Sequence, residues 1–311
     1  MKYTVLAYLL LLSLVSFSQT KNEPLQHARD LKDQGKFDEA VIEVNKFIWQ
    51  DSTVAEYYDL RGELFFNLKK FDEALADFDK AISINPKDPV LYVHRAGFYY
   101  ATQTPDKAIE DNNTALQFVR QDTLKYVIIL NRGACYTMMR DFQKAHDDYL
   151  AVLKFDSTDQ GALTNMGAIL DELGRSDESI RYLEKVIRLY PDFVGGYGNL
   201  AFQYTQHGNY KKALELNNKV LKLDPEQPLG YNNRGFVKYK LGDLKGAMED
   251  INYSLKIYPA NSYAYKNRAL VYIAMKQTSK ACLDLQQAID LGFTQMYGDE
   301  VQKLIEKYCS K

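Results

Sequence analysis

Small residues return along this chain at a fixed interval, with large apolar residues grouped around them. In a frame of 34 residues that starts at Lys21, position 8 falls on Ala28, Gly62, Ala96, Gly133, Gly167, Ala201, Gly235 and Ala269. Position 20 falls on Ala40, Ala74, Ala108, Ala145, Ser179, Ala213, Ala247 and Ala281. The spacing is 34 throughout except between Ala96 and Gly133, which are 37 apart, so three extra residues lie in a lengthened turn near 118–125. Position 4 is aromatic or aliphatic (Tyr58, Tyr92, Ile129, Leu163, Tyr197, Tyr231, Tyr265). The apolar positions follow helical spacing in two runs per period, divided by turns such as "LGD" and "HGN". Each period therefore predicts two amphipathic helices. Small residues let the two approach, and proline (Pro86, Pro191, Pro225, Pro259) stops the second one.

A motif written eight times is a structural unit before it is a site. The pattern resembles the tetratricopeptide repeat family over about residues 21–293. Departures are local: Pro24 takes position 4 of the first repeat, and Arg120, Ser157 and Phe293 stand where other repeats have the terminal proline. The resemblance implies an all-α fold, a right-handed superhelical solenoid whose first helices line a concave groove. It also implies a binding role, with a polypeptide segment of another protein as partner. After Phe293, Val301, Leu304, Ile305 and Tyr308 share one helical face, which predicts a capping helix over 294–311.

Two positions carry charge. Position 7 is arginine in five repeats (Arg61, Arg95, Arg132, Arg234, Arg268), and position 23 is aspartate in the same five (Asp77, Asp111, Asp148, Asp250, Asp284). Repeats five and six have neither, carrying Met166 with Tyr182 and Leu200 with Leu216. Residues that appear and vanish together across internal copies are expected to touch, as a salt bridge between the two helices of a repeat. Repeat one carries the weaker pair His27 and Glu43.

Position 6 is asparagine in five successive repeats (Asn131, Asn165, Asn199, Asn233, Asn267), after His94. In the family this position faces the groove. An asparagine amide offers one acceptor and two donors, matching a peptide backbone. Two readings stand: contacts to a bound peptide, or bonds to neighbouring helix ends. Phe202, Phe236, Tyr239, Lys240, Tyr263 and Lys266 lie at other groove positions and complete the expected peptide site. Each of these can instead pack between neighbouring first helices. Gly161, Gly195, Gly196 and Gly198 suggest either a bare groove floor in repeats five and six or a weak helix acting as a hinge. The charge clamp that some relatives use for C-terminal carboxylates needs lysine and asparagine at positions 5 and 9. The first three repeats carry Leu25 and Arg29, Asp59 and Glu63, then Val93 and Gly97, so that mode is not expected.

Composition adds exclusions. The net charge of −2 on 311 residues favours neither nucleic acid nor an anionic membrane surface. Residues 1–18 carry one lysine and an apolar run too short for a membrane span, with Ser16 and Ser18 before Gln19. They read as a signal peptide, giving an exported chain, periplasmic or secreted, with no transmembrane segment after cleavage. In such a compartment Cys282 and Cys309 are candidates for a disulfide if the helix faces agree, while Cys135 lies among apolar residues. The four histidines fall in separate repeats without a second ligand at metal spacing, so neither metal nor cofactor is expected. No phosphate loop or nucleophile elbow occurs, and no catalytic residue is assigned. The expected function is a non-enzymatic scaffold. The alternative is a structural subunit of an envelope or outer-membrane assembly that docks through its convex face or cap.

Overall fold

The computed structural model describes residues 25–309, and every regular element among them is an α-helix. The expected signal peptide and Pro24 lie outside the described residues. The chain divides into two compact units, with the division between Asn165 and Met166.

In the N-terminal unit α1 (Gln26–Asp33) pairs with α2 (Phe37–Gln50), and α3 (Ala55–Asn67) with α4 (Phe71–Ile84). There α5 (Pro89–Ala101) pairs with α6 (Pro105–Phe118), and α7 (Asp122–Met138) with α8 (Phe142–Phe155). Helix α9 (Gln160–Leu170) runs through the division and is followed by α10 (Ser176–Leu189). In the C-terminal unit α11 (Val194–Gln206) pairs with α12 (Tyr210–Leu223), α13 (Pro228–Lys240) with α14 (Leu244–Ile257), and α15 (Ser262–Ala274) with α16 (Thr278–Asp290). Two short helices, α17 (Phe293–Tyr297) and α18 (Glu300–Tyr308), complete it.

The contact partner of position 8 is position 24, in the second helix of the same repeat. A Cβ placed on Gly62 would lie 3.0 Å from the Phe78 ring. On Gly133 it would meet Tyr149 at 2.7 Å, on Gly167 Leu183 at 2.5 Å, and on Gly235 Ile251 at 2.6 Å. The small residue admits one large side chain, and that is what sets the interhelix distance. Position 15, in the turn between the two helices, has positive φ in all eight repeats. It is glycine in four (Gly35, Gly174, Gly208, Gly242) and Lys69, Gln103, Arg140 or Lys276 in the others. In repeat two Lys69 N–H bonds the Phe66 carbonyl and Lys70 N–H bonds that of Phe65, a left-handed cap that ends the first helix. Helices α4, α10, α12 and α14 each stop two residues before their proline.

Two expectations need correction. The cap is not one helix over 294–311. Gly298, at φ 88°, breaks it into α17 and α18, because a left-handed residue cannot continue a right-handed helix. Val301 is fully buried against α16, with Leu304 and Ile305 packed beside it. Nor is the glycine-rich helix a bare floor. A Cβ on Gly196 would meet Val186 at 2.8 Å, and the Phe193 ring covers Gly195 at 2.7 Å, so tight packing demands both glycines. Only Gly198 faces open space.

Candidate functional site

The structure places the five arginines of position 7 on the five aspartates of position 23. Each guanidinium donates through Nε and Nη2 to both carboxylate oxygens, at 2.6–2.9 Å. The aspartates are buried, 4–7% exposed. A third member completes each clamp. Nη1 reaches back to the preceding repeat's second helix, to Asn45, Asp79, Asn113, Asn218 or Asn252. All five stand at position 25. The repeats that precede the arginine-free repeats five and six carry Leu150 and Glu184 there instead. That joint absence was readable in the sequence, but only by looking one repeat back. The clamps are architectural, with every guanidinium nitrogen engaged.

Position 6 behaves differently from one repeat to the next. Asn267 is 1% exposed and donates to Asn232 Oδ1 at 3.0 Å, a residue at position 5 of the previous repeat. His94 makes the same diagonal contact, Nδ1 to Asp59 Oδ2 at 2.8 Å. Asn131 is also buried, at 7%. Asn131 and Asn267 are therefore not available to a ligand, because neighbouring helices cover them. Asn165, Asn199 and Asn233 are half-buried, and Asn232 Nδ2 lies 3.4 Å from Asn233 Oδ1.

In the C-terminal unit Phe236, Lys240, Tyr263 and Lys266 converge on one pocket of about 230 Å³, which Thr205, Gln206, Tyr210 and Glu300 complete. Tyr239 lies 6.1 Å from the Phe236 ring, outside the lining, as does Phe202. Lys240 is exposed, its Nζ 5.3 Å from the Phe236 ring centre. Lys266 is only 2% exposed. Its Nζ lies 4.4 Å from the Tyr263 ring centre and 5.5 Å from that of Phe236, and Glu300 Oε1 is 3.3 Å away. Burial lowers the Lys266 pKa and outweighs the Glu300 carboxylate, with Lys240 pushing the same way. Burial likewise lifts Tyr263 to about 12. Glu300 was missed because the cap lies beyond the last complete repeat. Its separation of 34 from Lys266 continues the repeat frame into α18.

Cys309, at the C-terminal end of α18, is tied to Cys282 of α16 by a disulfide, with Cα atoms 5.8 Å apart. Cys135 is a buried free thiol that burial pushes up to about 12.

In the N-terminal unit the expectation of isolated histidines fails. Asp59 and Glu63, one turn apart on α3, meet His94 of α5, with candidate ligand atoms within 4.8 Å of one another. The frame separated these residues into two repeats, and the diagonal between positions 5 and 6 brings them together. Burial works against the imidazolium, but the two carboxylates prevail and hold His94 at about 9. Burial raises Asp59. It opposes ionisation of Glu63 too, yet His94 and Lys32 hold that group low.

Models of the tetratricopeptide repeat match residues 56–88 and 161–193, and a TPR repeat model matches 203–242. The chain is a tetratricopeptide repeat protein. A solved tetratricopeptide repeat protein from Parabacteroides merdae ATCC 43184 is similar over 81% of this chain and 98% of its own, at TM-score 0.67 and 20% identity. A chain of the APC/C hetero-tetramer Cut9-Hcn1 is similar over 89% of this chain, at TM-score 0.64 and 14% identity; this chain spans about half of it, 54%. PilW, described as a widely conserved type IV pilus biogenesis factor, is similar over 65% of this chain and 92% of its own, at TM-score 0.60 and 18% identity. At these identities the likeness is one of fold. No curated protein matches the sequence. As a tetratricopeptide repeat protein, it fits a protein-interaction role. Among the described residues no helix is long and apolar enough to cross a membrane.

Proposed function

We propose that this protein is an exported, non-catalytic scaffold that holds a polypeptide segment against the first helices of its C-terminal unit. The observation that carries the reading is the pocket around Lys266. Two lysines face one glutamate there, between the rings of Phe236 and Tyr263. A buried ammonium with a single half-exposed counter-ion favours an incoming carboxylate, and ring faces suit apolar neighbours in the same segment. The segment is thus one with an acidic residue flanked by apolar ones. Export is supported by the Cys282–Cys309 bridge, since such bonds persist in oxidising compartments.

A photo-crosslinking residue at Tyr239, beside the pocket, tests the site in cells. The reading expects a discrete crosslinked partner that disappears when Phe236→Ala and Lys240→Glu are added. The second reading, docking through an outer surface, rests on Trp49, 95% exposed, with Ile42 two turns before it on α2. Crosslinks from position 49 with none from 239 would favour that reading and sink the first. For export, the purified native chain should begin at Gln19 and yield one reactive thiol when denatured without reductant. A chain beginning at Met1 with three thiols would refute it.

A further inference from the structure

The cluster of Asp59, Glu63 and His94 belongs to the N-terminal unit, whereas the pocket assigned to the partner belongs to the C-terminal unit, and neither the repeat architecture nor the proposed scaffold function uses it. We propose that it is a binding site for a first-row divalent cation of the zinc type, held by His94 Nδ1, Asp59 and Glu63 Oε1.

Four observations carry this. The donor set is one imidazole nitrogen and two carboxylates, which suits zinc and its neighbours better than calcium or magnesium. The spacing fits: His94 Nδ1 lies 2.8 Å from Asp59 Oδ2 and 3.3 Å from Glu63 Oε1. Ligands about 2.1 Å from a shared ion stand roughly 3.0–3.4 Å from each other, so both His94 contacts are already close to ligand spacing, and all three donor atoms lie within 4.8 Å of one another. Asp59 is 8% exposed, and its second oxygen, Oδ1, is buried with no hydrogen-bond partner. That oxygen keeps unused acceptor capacity, which a bound cation would satisfy. Finally, Glu63 is held in a ligating orientation, because Lys32 Nζ donates to its Oε2 at 2.5 Å and leaves Oε1 turned to His94.

The framework is rigid. Asp59 and Glu63 share one face of α3 at a spacing of four, and the contact between positions 5 and 6 fixes His94 of α5 above them. The same diagonal joins Asn232 to Asn267 in the C-terminal unit, where amides replace the ionisable groups. Only the pair Asp59 and His94 turns this contact into a ligand set. Three protein donors leave at least one position of a tetrahedral ion for water or for a donor from a partner.

The test is titration of the full mature chain, disulfide intact, with Zn²⁺ against a chromophoric chelator, and with Co²⁺ read by visible absorption. One tight equivalent is expected. His94→Asn gives this position the residue that five other repeats carry there, so the repeat should fold. It should weaken binding by about 10- to 100-fold or abolish it, as should Asp59→Asn. Far-UV circular dichroism of both variants should match the parent. Absence of a saturable equivalent in the parent, or undiminished binding in His94→Asn, would overturn the proposal. His146 and His207, each also near an acidic group, are left intact in that variant, so binding at either would show as the second outcome.

Discussion

Repeats six and eight lie in the same unit and answer one packing problem in two ways. In repeat eight Arg268 of α15 forks onto Asp284 of α16 and reaches back to Asn252 of α14. In repeat six the equivalent residues are Leu200 and Leu216, with Glu184 in the repeat before; Leu200 is 2% exposed and Glu184 accepts instead from the Tyr204 hydroxyl. Both repeats keep small residues at positions 8 and 20, Ala201 with Ala213 and Ala269 with Ala281. The helix pair is therefore set by the close approach of the backbones, and the filling beside it is a separate choice. That choice is made as a set. Leaving one buried charge unpaired costs about 3–5 kcal/mol, whereas exchanging a whole ion pair for apolar groups is often nearly neutral. Hence the five arginines come with five aspartates, and no repeat has one alone.

The largest effects should come from splitting a set. Arg268→Ala strands Asp284, 6% exposed, and is expected to lower stability to urea by about 3–5 kcal/mol. The double change Arg268→Met with Asp284→Leu copies the apolar repeats and should fall within about 1 kcal/mol of the parent. If the double variant is as unstable as the single one, the two repeats are not equivalent solutions. The converse experiment is Leu200→Arg, expected to cost about as much as Arg268→Ala. Adding Leu216→Asp should recover at least about 1 kcal/mol. No recovery would mean that backbone spacing in repeat six differs from that in repeat eight.

How much of this was legible in the sequence follows from where each partner lies. The Arg–Asp pairing was open to inspection because both members share a repeat and vary together over eight copies. Its third member, at position 25, belongs to the previous repeat, so comparison repeat by repeat hid it. The diagonal from position 6 to position 5 was hidden for the same reason. It turned Asn267 from an expected ligand contact into a buried internal one, and it assembled Asp59, Glu63 and His94 from two repeats. Of the expected groove residues, Phe236, Lys240, Tyr263 and Lys266 do line one pocket, since helical spacing alone puts them on one face. Glu300 lies past the last complete repeat, where only its separation of 34 from Lys266 carries the frame on.

Intermediate effects should be blind to the filling. Gly167→Ala, in apolar repeat five, and Gly235→Ala, in clamped repeat seven, each push a methyl group to 2.5–2.6 Å from a buried leucine or isoleucine. Each should lower stability by about 1–3 kcal/mol through overpacking, partly offset by the better helix propensity of alanine. Thermal unfolding of the two variants side by side checks this. A cost confined to Gly235 would tie the close approach to the clamp and dissolve the separation drawn between spacing and filling.

The smallest expected effect separates a clamp of three from a pair with a bystander. Asn252 accepts from Arg268 Nη1 at 2.8 Å, near the surface, so Asn252→Ala should cost about 1 kcal/mol. In the Arg268→Met, Asp284→Leu background the donor is gone and the same change should cost close to nothing. The difference between the two costs is the coupling, read from a double-mutant cycle by urea denaturation. Equal costs in both backgrounds would mean that Asn252 supports α14 by itself. The matching losses at Leu150 and Glu184, each next to an arginine-free repeat, argue for coupling. Without an arginine donor, neither position has a reason to keep an amide, and neither has kept one.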